Sequence, residues 1–371
     1  AYIQLSDNYN QNLYDINKNI DHTNTITPLL GFNPDDGMNI NVTDSYTKRG
    51  FYKEPFHNKH ILKAAYFVAT DGYDLSYQGE FTKMIGSWSL LINARYTSEN
   101  YAQNFFGFGN NSLNPDDELG FNYNRTKTGI ISLSTGLKKT GYYGSEMVMK
   151  AGLESVEVED SSDRFITSTS GLGTSDADFF DRKKFSFIDI NYNYGSYDNI
   201  ANPTKGMGFS LTAGVKMNLE NTKNTFVYLN PKLQFYNAIT QNRKLVLKNE
   251  VIAGFTLGDG YEFYQAPNIG GNTGLRGYRT ERFTGDRTLA FTNDLRYSFN
   301  KFRTGLLPLQ LGIYGGYDIG RVWYDYEDSD IWHDSYGGGF WINAVDAISG
   351  QLGLFYSDDG PRFSFGFGVN L

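Results

Sequence analysis

Apolar and polar residues alternate with a period of two along almost the whole chain from Met38 onward. In the final segment, 361–371, phenylalanine occupies every second position between Phe363 and Phe367, and polar or glycine residues lie between. This period predicts β-strands that have one apolar face and one polar face. A soluble β-sandwich and a membrane barrel both contain such strands, so the alternation alone leaves both classes open.

Strand length and the connections favour the barrel. The predicted strands run to about 11–15 residues, which exceeds the usual strand of a soluble sheet and suits a tilted crossing of a bilayer. Short turns also alternate with long polar connections, as expected when the two rims of a barrel face different compartments. The short turns lie at 83–86, 138–142, 198–205, 237–243 and 345–348, and the long connections at 99–119, 159–183, 257–285 and 323–333. We therefore predict an all-β fold, a transmembrane antiparallel β-barrel.

Counting back from the chain end gives the number of strands. The segments that show the pattern lie at 38–50, 58–70, 73–84, 87–98, 120–138, 143–157, 184–198, 206–219, 225–238, 243–256, 286–300, 308–322, 334–345, 348–357 and 361–371. Bacterial single-chain barrels have an even number of strands, so we predict about 16, with about 14 as the alternative. The additional strand then lies within an N-terminal segment, 1–37, with Ala1–Leu5 as the first choice and the rest as loop. Residues 38–371 form the barrel.

The composition removes several other classes. The 371 residues include no cysteine, which excludes disulfides and thiolate metal sites. The formal net charge of −8 disfavours nucleic acid as a partner, because nucleic-acid binding needs a basic surface. No run of about eighteen apolar residues occurs, which excludes a transmembrane helix.

Three charged residues of the final third are predicted to meet inside the barrel. By the alternation of their strands, Asp294 and Asp318 point into the lumen. Two buried carboxylates on neighbouring strands are costly unless a cation lies between them. Arg276 is the candidate, because its planar guanidinium can bridge two carboxylates and the glycine-rich connection 257–285 can fold inward. For any single arginine, a position in solvent on an outer loop is the alternative.

These residues resemble a motif of the bacterial surface-antigen superfamily, the outer-membrane insertase and translocase barrels of the BamA, TamA and two-partner-secretion type. In that superfamily an apolar-Arg-Gly-aromatic loop folds into the barrel, and its arginine binds acidic residues of the next two strands. The matching positions here are Leu275, Arg276, Gly277, Tyr278, Asp294, Asp318 and Gly320. Five predicted strands follow the loop, as the resemblance requires, and Asn202–Gly206 is similar to a periplasmic turn of the same superfamily.

The chain end carries a second resemblance, to the terminal strand by which outer-membrane barrels are recognised for assembly. Ser364, Gly366, Val369 and Leu371 occupy its polar-x-Gly-x-x-apolar-x-apolar positions, although Leu371 replaces the usual aromatic residue. The resemblance to the insertase superfamily implies a seam, that is, a junction at which the first and last strands meet. Gly366 and Gly368 predict that this seam is weak.

The resemblance also implies a location, the bacterial outer membrane, and a role in its assembly. We expect the barrel to help insert or translocate proteins or lipids through the seam, with outer-membrane lipid and other outer-membrane proteins as partners. The expected member lacks periplasmic POTRA domains and is similar to barrels fused to phosphoesterases or patatins. Because those relatives suggest a pairing of barrels, a homodimer is one of the expected arrangements. A passive pore, or a structural anchor that formed the membrane part of a lost phosphoesterase or lipase fusion, is the alternative.

No catalytic residue, metal site or cofactor is expected. The chain contains no Gly-x-Ser-x-Gly, Walker or His-Glu-x-x-His motif. His57 and His60 would lie on opposite faces of a strand, so they are expected at surfaces or turns rather than on a metal. Two Asn-Pro-Asp-Asp runs, 33–36 and 114–117, are expected to be turns, with calcium binding as the alternative.

Overall fold

The computed structural model describes residues 22–50, 53–167, 179–258, 260–271, 273–305, 307–344 and 348–369. Sixteen long antiparallel strands close into one barrel, which confirms the predicted fold class and strand number. In these residues helix is confined to the α-helix Asp116–Leu119 and the 3₁₀ turn Phe263–Gln265. No helix in the described ranges is long and apolar enough to span a membrane.

The barrel strands are numbered in chain order. The first eight are β1 Thr23–Asn33, β2 Gly37–Lys48, β3 Asn58–Phe67, β4 Gly72–Ile85, β5 Trp88–Thr97, β6 Arg125–Thr140, β7 Ser145–Val158 and β8 Lys183–Tyr197. The others are β9 Gly206–Asn218, β10 Thr225–Ala238, β11 Leu245–Leu257, β12 Arg287–Ser298, β13 Pro308–Trp323, β14 His333–Ala344, β15 Ile348–Ser357 and β16 Gly360–Val369. Short segments at Ala102–Asn104 and Phe302–Arg303 extend the sheet at β6 and β13. Consecutive strands are neighbours, as in an up-and-down barrel.

Strand pairing is extensive around the barrel except where it closes. β1 pairs with β2 along the whole of β1, and β15 pairs with β16 along the whole of β15. Between β1 and β16, Phe32 and Phe365 form the single backbone pair among the described residues. We call this junction of β1 and β16 the seam.

The first strand corrects one expectation. Residues 23–33 fall in a segment predicted to be loop, whereas they form β1. A strand does lie within residues 1–37, and Ala1–Leu5 lie outside the described residues. Pro28 has no N–H to donate to a neighbouring strand and normally argues against a strand. An edge strand tolerates proline because one row of its N–H groups has no partner, and β1 is such an edge along most of the seam.

Side-chain exposure follows the predicted alternation. On β12, Leu295 and Tyr297 are 47% and 38% exposed and face outward, whereas Asp294 is buried on the lumen side. The lumen face is polar and carries ion pairs such as Lys216 Nζ to Glu154 Oε1, at 2.7 Å. An apolar outer wall around a polar lumen is the arrangement that a lipid bilayer requires of a barrel.

The two ends of the barrel differ. β1 begins and β16 ends at the end that we call the terminal end, where the connections are short. The opposite end, the loop end, carries the three longest connections, 98–124, 159–182 and 258–286. These connections pack on one another through an aromatic cluster that includes Phe105, Ile166 and Phe263, so they cover the lumen at the loop end.

Candidate functional site

The connection 258–286, which we call the inward loop, turns back from the loop end into the lumen. Asn268–Ile269 pair with Phe283–Thr284, so the loop forms a small hairpin. Gly274 adopts a φ of +99°, and a Cβ there would lie 2.4 Å from the Cβ of Ala290 on β12. Glycine is therefore required both for the turn and for the close approach to the barrel wall.

An apolar cluster fixes the inward loop on β12 and β13. Its members are all at most 1% exposed, and they are Ile269, Leu275, Tyr278, Phe283, Ala290 and Val322. Burying a large side chain of this kind contributes about 2 kcal/mol. Gly320 lies below the cluster, where a Cβ would come within 3.1 Å of Ala290 Cβ and Ile269 Cδ1. Leu275, Tyr278 and Gly320 thus serve the packing of the loop.

Arg276 lies between the acidic residues of β12 and β13. Its Nη2 donates to Asp318 Oδ1 at 2.6 Å, and its Nε donates to Asp318 Oδ2 at 3.0 Å. Its Nη1 forms an ion pair with Asp294 Oδ1 at 2.7 Å. The backbone N–H of Arg276 also donates to Asp318 Oδ2, at 3.0 Å. We call Arg276, Asp294 and Asp318 the clamp.

Arg276 keeps its charge although the clamp is buried. Asp318 is 0% exposed and Asp294 is 6% exposed. Burial alone would lower the pKa of Arg276, but the hydrogen bonds to Asp318 and the attraction of Asp294 outweigh it and raise that pKa above its ordinary value. The arginine is therefore positive at every accessible pH. Removing it would leave two buried carboxylates without a counter-ion, which is a large penalty.

Two residues next to the clamp were not identified from the sequence. Phe355 on β15 lies under the guanidinium of Arg276, 4.1 Å from the guanidinium carbon to the ring centroid. Gly316 on β13 leaves the space that the ion pair fills, because a Cβ there would lie 2.6 Å from both Arg276 Nη2 and Asp294 Oδ1. The available signal was a glycine at a lumen-facing position two residues before Asp318.

Gly277 ties the inward loop to two further strands. Its N–H donates to Ser335 Oγ on β14 at 3.2 Å, and its carbonyl accepts from Ser357 Oγ on β15 at 2.7 Å. A Cβ at Gly277 would lie 2.6 Å from Ser335 Cβ. Ser335 also donates to Asp318 Oδ2 at 3.1 Å. The loop is thereby fixed on four consecutive strands, β12 to β15.

A second arginine of the inward loop, Arg279, contacts both Asn-Pro-Asp-Asp runs. Its Nε donates to Asp35 Oδ1 at 2.8 Å, and its Nη1 donates to Asp116 Oδ1 at 2.6 Å. Its Nη2 donates to Asn104 Oδ1 at 2.9 Å, and the guanidinium carbon lies 3.7 Å from the centroid of the Phe121 ring. The carboxylates for which calcium was the alternative are thus held by an arginine.

A third arginine of the loop reaches the last hairpin. Arg282 Nε donates to Asp359 Oδ2 at 2.7 Å, and its Nη1 and Nη2 donate to Ser112 at 2.9 Å. Asp35 lies in the β1–β2 turn and Asp359 in the β15–β16 turn. The inward loop therefore holds the hairpins on both sides of the seam at the loop end. We call Arg279, Arg282, Asp35 and Asp359 the latch; the paired Asn-Pro-Asp-Asp runs were its one sequence signal.

The other sequence candidates lie away from the clamp. Ser364 and Gly366 border a cavity beside the seam, Val369 is the last residue of β16, and Leu371 lies outside the described residues. His60 Nδ1 lies 2.8 Å from the Tyr77 hydroxyl, within hydrogen-bond distance. Among the residues that the structure describes, no group of three or more His, Cys, Asp or Glu side chains could hold a metal ion.

Comparison with known proteins agrees with this architecture. A family model described as the Omp85 superfamily domain matches residues 37–371. The structure of BamA from Haemophilus ducreyi lacking POTRA domains 1–3 is similar, with a TM-score of 0.66 and 14% identity over 94% of this chain and 70% of that one. CdiB from Escherichia coli gives 0.59 and 11% over 93% and 62%, and CdiB from Acinetobacter baumannii gives 0.53 and 12% over 94% and 59%. At these identities the likeness shows the fold. No curated protein matches the chain.

Proposed function

Because the chain belongs to the Omp85 superfamily and lies in the outer membrane of a Gram-negative bacterium, we propose that it helps to assemble that membrane by passing a client between β1 and β16. The client is an outer-membrane protein strand or a lipid. The observation that carries the proposal is the seam, where Phe32 and Phe365 form the single backbone pair in the described part of the chain. An unpaired strand edge can accept another strand or part to let a lipid through.

The energetics of the seam support opening there rather than elsewhere. A backbone hydrogen bond contributes about 1 kcal/mol, so a junction with one pair costs far less to open than a hairpin that is paired throughout. The clamp holds the inward loop on β12 to β15, and the latch holds the loop end of the seam. Opening is therefore expected to start at the terminal end, where β1 has no backbone partner across the seam among the described residues.

A reversible disulfide cross-link tests the proposal. Because the chain has no native cysteine, only the two introduced cysteines can form it. In Phe32→Cys/Phe365→Cys the two cysteines replace backbone partners across the seam. The matched control is Phe32→Cys/Met38→Cys, which joins partners within the β1–β2 hairpin and leaves the seam free. Partner Cα atoms in antiparallel strands lie about 4.5–5.5 Å apart, within the range of a disulfide.

Each oxidised variant is reconstituted in vesicles, and two rates are measured. One is the insertion of an unfolded eight-stranded outer-membrane barrel, and the other is the transfer of a fluorescent phospholipid between leaflets. We expect the seam cross-link to reduce at least one rate tenfold or more, with recovery on reduction, while the hairpin cross-link has no effect. Equal rates for both oxidised variants and the wild type would contradict the proposal.

A passive pore is the second candidate, and the lumen supports it. Two polar cavities of about 340 and 460 Å³ lie in the lumen, and the larger of the two borders the inward loop. Their walls include the ion pairs Lys216–Glu154 at 2.7 Å and Lys150–Asp189 at 3.5 Å. Steady conductance in planar bilayers that persists in the seam-locked variant would favour the pore over the client-passing function.

A further inference from the structure

A third cavity, of about 790 Å³, connects the lumen with the seam at the terminal end. Its walls include both strands of the seam, at Leu29–Phe32 and Ser364–Phe367, and the terminal-end turn between β8 and β9. Further wall residues lie on the lumen face of other strands, and they include Lys248, Arg296 and Trp341. We call this space the seam cavity.

The described wall of the seam cavity carries cations without acidic residues. Two cations, Lys248 and Arg296, line it, and no Asp or Glu among the described residues does. This is notable in a chain whose formal net charge is −8. The walls of the other two lumen cavities include carboxylates that pair with their cations, as in Lys216–Glu154. The seam cavity therefore has an excess of positive charge, which favours an anionic occupant.

The cations retain free capacity to donate hydrogen bonds. Arg296 Nη2 donates to Asn202 Oδ1 at 3.3 Å, and the guanidinium carbon lies 5.2 Å from the centroid of the Trp341 ring. No carboxylate of the described residues lies within ion-pair distance of Arg296. Lys248 Nζ is 3.8 Å from Glu250 Oε2, an oxygen that Lys232 contacts more closely, at 3.0 Å.

A third donor in the wall has no acceptor. Trp341 is 5% exposed, and its indole Nε1 has no hydrogen-bond partner among the described residues. A buried donor without a partner carries a cost that a ligand oxygen would remove. Arg296 and Trp341 stack together, so an oxyanion beside the guanidinium would also lie near the indole.

The turn that supplies Asn202 is rigid. Asp198 accepts from the N–H of Thr204 at 2.9 Å and of Lys205 at 3.0 Å. Burial acts to raise the pKa of Asp198, but a hydrogen bond from the Thr204 hydroxyl and these backbone hydrogen bonds outweigh it and hold the pKa at about 2, so the carboxylate stays ionised. Arg296 is thereby positioned before any ligand arrives, which lowers the entropic cost of binding.

The outer side of the seam cavity is apolar. Leu30, Phe32, Phe365 and Phe367 line its opening between β1 and β16, and all four are exposed on the outer wall. We propose that the seam cavity binds an anionic phospholipid, with the phosphate at Arg296, Lys248 and the Trp341 indole and the acyl chains leaving through the seam. The inference deepens the proposed function, on which it rests for the movement of the lipid, by naming the client class.

Lipid binding is tested on the full chain in a neutral detergent by native mass spectrometry. The probe is phosphatidylglycerol, compared with diacylglycerol of the same chains and with inorganic phosphate. We expect Lys248→Gln/Arg296→Gln to weaken phosphatidylglycerol binding tenfold or more. The control Lys63→Gln/Lys150→Gln removes two positive charges from another lumen cavity and should leave the affinity within twofold. Trp341→Phe keeps the aromatic stack, removes the donor and should weaken binding several-fold.

The outcomes separate this inference from the proposed function, because binding is measured at equilibrium without transport. Wild-type affinity in Lys248→Gln/Arg296→Gln would overturn it. Equal affinity for inorganic phosphate and phosphatidylglycerol would also overturn it, because the site would then bind the free anion. Binding of an acidic strand peptide in place of the lipid would overturn it as well. If binding behaves as expected while seam locking leaves both vesicle rates unchanged, the lipid site stands and the client-passing function fails.

Discussion

The two ends of the seam are held in opposite ways. At the loop end, Arg279 and Arg282 bind Asp35 and Asp359, one in each flanking hairpin, at 2.8 and 2.7 Å. At the terminal end, no ion pair joins β1 to β16 among the described residues, and the seam cavity lies between the strands. One seam therefore has a closed end and a weak end.

The difference shows how an opening barrel can stay folded. The latch arginines are at most 5% exposed on their side chains, so their ion pairs are well protected from water. Buried charge pairs of this kind are costly to break, whereas a strand junction with one backbone pair is not. Separation of β1 from β16, which breaks the Phe32–Phe365 pair, is then a hinge motion about the latch, and the client enters from the terminal end.

Arg276→Ala should have the largest effect on stability. It should loosen the loop end of the seam, so that both ends of the seam are weak. The substitution leaves Asp294 and Asp318 buried without a counter-ion, which costs about 3–5 kcal/mol. The inward loop would lose its anchor, and the latch arginines that it carries would lose theirs. We expect a lower unfolding temperature by heat-modifiability on gels, and rapid protease cleavage of the inward loop in the native barrel.

An exposed ion pair at the loop end supplies the control for Arg276→Ala. Arg287 pairs with Asp325 at 2.8 Å, with side chains 47% and 70% exposed. Such pairs contribute about 0–1 kcal/mol, so Arg287→Ala should behave as the wild type. Equal resistance of Arg276→Ala and Arg287→Ala to heat and protease would show that the clamp does not hold the loop.

Asp35→Asn should weaken the loop end alone. Asp35 accepts hydrogen bonds from Arg279, Arg362 and the Thr280 N–H, and loss of its charge costs about 1.5–3 kcal/mol. In the Phe32→Cys/Phe365→Cys background, the yield of disulfide under limiting oxidant should fall several-fold. Asp325→Asn is the control, and an unchanged yield in Asp35→Asn would mean that the latch does not close this end.

Gly316→Ala should disturb the clamp less than loss of the arginine. The added methyl group would lie 2.6 Å from the Arg276 and Asp294 charges, and overpacking of this kind costs about 1–3 kcal/mol. The neighbouring Gly315 faces outward, and the nearest atom to a Cβ there is Gly337 O at 3.9 Å. Gly315→Ala should therefore keep the wild-type unfolding temperature, and equal stability of the two variants would contradict the proposed contact.

The local alternation of residues predicted the barrel, whereas the contacts between residues distant in sequence could not be predicted. Strict alternation placed Asp294 and Asp318 on the lumen side because each lies in a strand with a clear apolar phase. β1 was missed because residues 1–37 are rich in Asn and Asp and because Pro28 cannot donate to a neighbouring strand, and only its position as an edge makes the proline harmless. The latch could not be predicted, since Asp35 and Arg279 lie 244 positions apart and meet through the packing of three long connections. The repeated Asn-Pro-Asp-Asp runs mark Asp35 and Asp116 as turn residues, but nothing in the local sequence encodes their contact with Arg279.

The smallest expected effect is a pH dependence at the loop end, carried by Glu281 of the inward loop. Its Oε2 accepts from the Asn104 N–H at 2.7 Å, which joins the inward loop to the connection 98–124. Burial raises the pKa of Glu281 from 4.5 to about 7, against the opposing effect of that hydrogen bond. The unfolded carboxyl keeps the lower value, so its stabilising contribution is complete below about pH 4.5 and is lost as pH rises through 7.

The loop end should therefore be better protected from hydrogen exchange at pH 5.5 than at pH 8, whereas the protection of the seam at the terminal end should be the same at both. Hydrogen exchange of the inward loop at the two pH values, corrected for intrinsic rates, measures the difference. Glu281→Gln keeps the acceptor without the charge, so its protection at pH 8 should equal its protection at pH 5.5. Glu327→Gln is the matched control, because Glu327 also accepts a backbone N–H of the connection 98–124, from Asn110 at 2.6 Å. In Glu327→Gln the protection should still differ between the two pH values. If it also differs in Glu281→Gln, another group carries the pH dependence.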